Sequence, residues 1–232
     1  MNNIIAWGVH LLTSLGVVAG LLALLAVLSN QIEEAFLWLM LAFFIDGIDG
    51  PLARKFGVTE FTPDIQGDVL DNIVDYLNYV FVPSLMMYQF NMVPDQLKFF
   101  TAASILVVSC FTFANKQLKT EDNYFQGFPA VWNVAIFYLY VLNTSEMVNF
   151  LILMGLSLLT FVPIKYIHPF RVKEWRSITL GVTLLWGLAS LILLLADQFI
   201  YLEVVFWLWV VSSIYFAFIS FKESNVRKSF NI

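Results

Sequence analysis

"FLWLMLAFFIDGIDGPLAR", residues 36–54, starts as ten apolar residues and ends with two aspartates, two glycines, a proline and an arginine. The oily half is not exceptional in this chain. Of its 232 residues 60% are hydrophobic and 12% charged, with a mean hydropathy of +0.80. Soluble domains carry about 25% charged and about 45–50% apolar residues. The sequence therefore predicts an all-α, polytopic integral membrane protein. The exceptional half is the acidic one. A charge within a membrane span costs roughly 2.5–3.5 kcal/mol on insertion scales, so carboxylates at the end of such a run point to function.

Working outward, a span needs about 20 mostly apolar residues. Eight segments qualify: Ala6–Leu28, Glu34–Phe56, Gly67–Phe90, Phe99–Ala114, Pro129–Leu142, Met147–Ile167, Ile178–Ala196 and Ile200–Phe221. Asn30, Asn143–Thr144 and Asp197 mark tight turns between them. The N-terminus lacks the basic region of a cleaved signal and reads as a retained first span. No long polar insert interrupts the chain, so residues 1–232 read as a single membrane domain. Of the twelve basic residues, eleven fall on one side of an eight-span layout and only Lys98 on the other. The positive-inside rule then puts both termini and the loop after Arg54 in the cytoplasm. A net charge of -5 argues against nucleic acid as a partner. The lone cysteine, Cys110, excludes an intramolecular disulfide and reads as an apolar filler.

Asp46 and Asp49 are three apart and share a helix face; Asp71 and Asp75 are four apart and do the same. Spans two and three are joined by a short loop, so these four carboxylates converge at one depth, with Asp68 nearby and Asp64 an ordinary turn residue. Arg54 and Lys55 cannot balance them, but divalent metal can. An all-oxygen set without His or Cys suits Mg²⁺, Mn²⁺ or Ca²⁺ rather than zinc. Two such ions sharing carboxylates could clamp a phosphoryl group. Gly47, Gly50, Gly67 and Ala53 keep side chains small where helices and a ligand would meet, and Pro51 is placed to kink the helix.

The spacing Asp46-x2-Asp49-Gly50-x2-Ala53-Arg54-x12-Gly67-x3-Asp71-x3-Asp75 resembles the signature of the CDP-alcohol phosphatidyltransferase family, with every fixed position present. The gap of twelve after Arg54 exceeds the usual eight or nine and is similar to a bacterial branch that joins free choline to CDP-diacylglycerol. "VHLLTSLG" (residues 9–16), "FQGFPAVWN" (residues 125–133) and "YIHPFRV" (residues 166–172) resemble that branch too. The resemblance implies a six-helix family core within the eight spans, an inner-membrane location, a homodimer, and phosphatidylcholine and CMP as products. It implies that Asp46, Asp49, Asp71 and Asp75 hold two divalent ions, Mn²⁺ or Mg²⁺, and that Asp75 is the general base. Asp49, Gly50, Ala53, Arg54 and Gly67 would border the cytidine nucleotide.

Choline calls for an aromatic cage. Trp132 and Asn133 are the first candidates for it, and Tyr76 and Tyr79 the second. His10 is either a buried hydrogen-bonding group or a cavity wall. Lys165, His168 and Arg171 lie in the most basic loop, suited to the phosphates of CDP-diacylglycerol or to anionic membrane lipids. The competing readings are a family member with another acceptor (serine, glycerol 3-phosphate or an inositol phosphate) and a divalent-metal transporter. A phosphorylated acceptor would want basic residues inside the bundle. A transporter would want polar groups across the whole bilayer.

Overall fold

The computed structural model describes residues 2–115, 125–166, 175–196 and 200–226. Among them the architecture is helical, and five helices are long and apolar enough to cross a membrane: Asn3–Leu28, Ile32–Phe56, Asp95–Ala114, Arg176–Leu195 and Leu202–Lys222. The protein is thus a multi-pass membrane protein. Its chain divides into two compact units, Met1–Phe113 with Ala130–Leu153, and Ala114–Pro129 with Met154–Ile232.

The first unit is founded on α1 (Asn2–Leu28) and α2 (Ile32–Phe56), which pack along each other. Their buried faces are lined with small residues, Ala6, Ala19, Ala23 and Ala26 on α1 and Ala35 and Ala42 on α2, while Ile4, Leu11, Leu28 and Phe44 point outward. Lipid is as apolar as these outward side chains, so close van der Waals packing has to hold the pair together. Asn30 closes the turn between them with φ 59. Gly57 ends α2 in the left-handed conformation, φ 60, its N–H bonded to the Ala53 carbonyl.

The chain does not run straight on to the next long helix. Val58–Phe61 forms a one-turn helix, α3, and Val58 is buried against Ala6 and Val9 of α1. Then come α4 (Gly67–Asp75), a π-helical segment (Tyr76–Phe81) and α5 (Val82–Gln89), one unbroken helical run. The widened segment has a local cause. Pro83 has no N–H to return to the Tyr79 carbonyl, and the Val82 N–H reaches five residues back to Leu77. The π segment also points its polar side chains at different helices. The Asn78 amide donates to the Gly16 carbonyl of α1 at 3.0 Å. The Tyr76 hydroxyl donates to the Leu106 carbonyl of α6 (Lys98–Ala114) at 3.0 Å, and lies 3.4 Å from the Cys110 sulfur. The unit is completed by α7 (Trp132–Val141) and the first half of α8 (Glu146–Leu159). The Asn149 amide of α8 donates to the Met92 carbonyl at 2.7 Å.

Two expected boundaries are corrected. The span expected over Pro129–Leu142 starts at Trp132, because Ala130 takes φ 57 just after Pro129. The span expected over Met147–Ile167 stops at Leu159, ahead of Pro163, which disfavours helix in the residue before it. The remainder includes Lys165–Tyr166 (β2), paired antiparallel with Phe125–Gln126 (β1), a small ribbon within an otherwise helical chain. Asp197, expected at a turn, lies outside the described residues.

In the second unit the ribbon is anchored by Gly127, with φ 82, where a Cβ would stand 2.2 Å from the Thr160 carbonyl oxygen. α9 (Arg176–Leu195) and α10 (Leu202–Val226) pack together through Trp209, whose indole N–H donates to Ser190 at 3.0 Å, and through Thr179 and Tyr215, 2.8 Å apart.

Candidate metal centre

Asp46 and Asp49 sit near the C-terminal end of α2 and Asp71 in the middle of α4. One carboxylate oxygen from each falls within 4.8 Å of the others. Asp49 is buried at 6% exposure, and Asp46 and Asp71 are half-buried. Three anions so close repel one another unless a proton or a cation intervenes. The donor set fits a hard divalent ion. Mg²⁺ takes its oxygen ligands at about 2.0–2.1 Å, and one oxygen from each of the three could be offered to a single ion. Pro51 lies inside α2. Its ring nitrogen carries no hydrogen, so the Gly47 carbonyl, between Asp46 and Asp49 in sequence, has no donor one turn ahead.

Asp75 stands one turn beyond Asp71 and is not in the group of three. It contributes with Asp46 and Asp71 to the negative field around the Tyr79 hydroxyl. That hydroxyl donates to Asp46 Oδ2 at 2.6 Å, and the ring is tilted against Phe43 at 6.1 Å between centroids.

The other candidate residues divide by environment. The Arg54 side chain folds back over Gly50, where a Cβ would lie 3.3 Å from Nη1. Ala53 packs against the apolar cluster of Ala6, Val9 and Val58. Gly67 opens α4, and a Cβ there would meet only the His10 ring, at an ordinary 3.8 Å. His10 is buried, with Nε2 2.9 Å from the Thr62 hydroxyl. Thr62 spends its single proton on the Val58 carbonyl, so the imidazole Nε2–H is the donor. Nothing in the sequence singles out Thr62, whose partner is 52 residues away.

Trp132 is fully buried and its indole N–H donates to Ser109 at 2.8 Å, which is a packing role. Its neighbour Asn133 is also buried, and its side-chain oxygen has no hydrogen-bond partner among the described residues. Tyr76 is held to α6 as described above, and stacks edge-on against Phe113. Lys165 belongs to the ribbon of the second unit, opposite Gln126. His168 and Arg171 lie outside the described residues.

This arrangement of carboxylates on α2 and α4 is carried by a chain whose residues 9–163 match the family profile of CDP-alcohol phosphatidyltransferases. The chain belongs to that family. Among its relatives is the phosphatidylcholine synthase of Pseudomonas aeruginosa, 43% identical over 216 residues, covering 93% of this chain and 90% of that protein. The phosphatidylcholine synthase of Rhizobium meliloti is 40% identical over 190 residues, 82% of this chain and 79% of that one. The one from Borreliella burgdorferi is 37% identical over 186 residues, covering 80% and 79%.

Proposed function

We propose that this protein transfers the phosphatidyl group of CDP-diacylglycerol to free choline, giving phosphatidylcholine and CMP. The observation that carries the reading is the convergence of Asp46, Asp49 and Asp71, all signature positions, on one point. The names of its relatives and the twelve-residue gap after Arg54 favour choline as the acceptor.

In this proposal Asp46, Asp49, Asp71 and Asp75 hold two divalent ions, Mg²⁺ or Mn²⁺. When bound, such ions neutralise the pyrophosphate and stabilise CMP as the leaving group. Asp75, outside the tight group of three, takes the choline hydroxyl proton. The choline oxygen bonds to the phosphorus that carries diacylglycerol, and the bond from that phosphorus to CMP breaks. Asp49, Gly50, Arg54 and Gly67 border the nucleotide, and Ala53 backs that wall from its apolar cluster. The acceptor pocket is proposed beside Asp75, with Tyr76 and the Asn133 oxygen, which has no partner among the described residues, at its edge. That placement is supported by the packing of α7 against the π segment.

The two units are taken as parts of a single membrane domain over residues 1–232, crossing a bacterial inner membrane eight times with both termini cytoplasmic. Six of the spans would form the family core, and the protein would be a homodimer. Beyond the five long helices, support for eight crossings comes from the shorter apolar helices Trp132–Val141 and Glu146–Leu159 and from the run over 67–89.

The test is CMP release by the purified protein from CDP-diacylglycerol with Mg²⁺ or Mn²⁺, with choline, serine, inositol and glycerol 3-phosphate offered separately. Release that requires both metal and choline is expected. Release with another alcohol but not choline would move the protein elsewhere in its family.

A further inference from the structure

Tyr76, Asn78 and Tyr79 lie within four residues on the π segment, yet each bonds to a different helix. Tyr76 reaches a backbone carbonyl of α6 and Asn78 a backbone carbonyl of α1. Tyr79 alone reaches a site side chain, Asp46 Oδ2 on α2. At 2.6 Å this is a short, charge-assisted bond of the strong class. The tyrosine is 6% exposed and its ring rests on Phe43, so it cannot swing away without opening the core.

We propose that Tyr79 is a positioning residue of the metal centre: its hydroxyl fixes the rotation of the Asp46 carboxylate and so the way Asp46 presents an oxygen beside Asp49 and Asp71. A carboxylate on an unrestrained χ2 rotates broadly. Two neighbouring anions would turn Asp46 away from them in the absence of metal. The Tyr79 O–H is a neutral donor, so it holds the group in place and leaves its charge intact. Partners of this kind, behind the ligands themselves, commonly alter metal affinity by about 10- to 100-fold. The role differs from that of a cage wall around a cationic acceptor, which needs an exposed aromatic face. The proposal rests on the reading of Asp46, Asp49 and Asp71 as metal ligands.

The experiment titrates the full-length protein in detergent with Mn²⁺ alone and follows the loss of the free-ion electron paramagnetic resonance signal. Tyr79→Phe is expected to weaken Mn²⁺ binding by about 10- to 100-fold while metal-free thermal unfolding stays close to that of the parent. Added to Asp46→Asn, it should have no further effect, because the two residues act as one unit. Tyr79→His, which retains a ring N–H donor, should recover part of the affinity. Asn78→Ala, on the same segment but bonded to α1, should lower the unfolding temperature and leave Mn²⁺ affinity unchanged. Parent-like Mn²⁺ affinity in Tyr79→Phe overturns the inference and leaves the metal centre standing. So does a defect confined to the KM for choline, which would make Tyr79 an acceptor wall. If the parent protein binds no Mn²⁺, or Asp71→Asn binds it equally well, the metal reading itself fails and the inference falls with it.

Discussion

Gly16 and Gly20 on α1 look much like Gly50 and Gly67 around the carboxylates: both are pairs of glycines on helices that meet. Their surroundings differ. A Cβ on Gly16 would stand 2.6 Å from Val74 Cγ1, and one on Gly20 2.5 Å from Asn78 Oδ1. The first pair is occupied by protein. At Gly50 a Cβ would come within 3.3 Å of the Arg54 head group, and at Gly67 only within ordinary contact of His10. Packing alone does not demand the second pair. Glycine on α1 lets helices close, whereas the glycines at the acidic site have no backbone or rigid side chain so close among the described residues.

The contrast breaks most visibly at Gly16. Gly16→Ala pushes a methyl into buried, rotationally stiff Val74 and disturbs the Asn78 bond to the Gly16 carbonyl. A loss of about 1–3 kcal/mol is expected, read as a lower thermal unfolding temperature in detergent. Gly67→Ala should leave that temperature unchanged or slightly raised. If Gly67 borders the nucleotide as proposed, its effect belongs in the kinetics, with the KM for CDP-diacylglycerol rising about tenfold. Equal kinetics in parent and Gly67→Ala would remove the distinction drawn here. Gly8 is the reference, since nothing among the described residues lies within 4 Å of a Cβ there. Gly8→Ala should change activity not at all and stability by at most about 1 kcal/mol in the favourable direction, the difference in helix propensity.

Much of the acidic site is legible in the sequence. The three-residue and four-residue spacings of the aspartates, set at facing ends of consecutive apolar runs, suffice to bring Asp46, Asp49 and Asp71 together. Asn30 and Asn143 mark their turns because a short polar side chain tolerates positive φ. What stays hidden has physical causes. Hydropathy does not register that Pro163 ends a helix while the chain stays apolar, so the span expected there overshoots α8. Helical periodicity assumes 3.6 residues per turn. It cannot show a π segment that sends Tyr76, Asn78 and Tyr79 to three different helices. Trp132 is a cage candidate by its place at the start of a span, and its hydrogen bond to Ser109 is a contact 23 residues away that the sequence does not show. The twelve residues after Arg54 read as a loop. Four of them form α3, docked on α1 through Val58 and tied by Thr62 to His10, and only a contact distant in sequence could reveal that.

That docked turn bears on how the protein is made. The three converging carboxylates lie between residues 46 and 71, and α3, which links the two helices that carry them, is docked on α1. A ribosome adding about 5–20 residues per second delivers α1, α2, α3 and α4 in that order, each able to settle on what came earlier. The aspartates of the acidic centre are therefore made early, ahead of the π segment that carries Tyr79 and of the second unit. A premature stop beyond α4 would leave behind a fragment that already carries the whole anionic cluster.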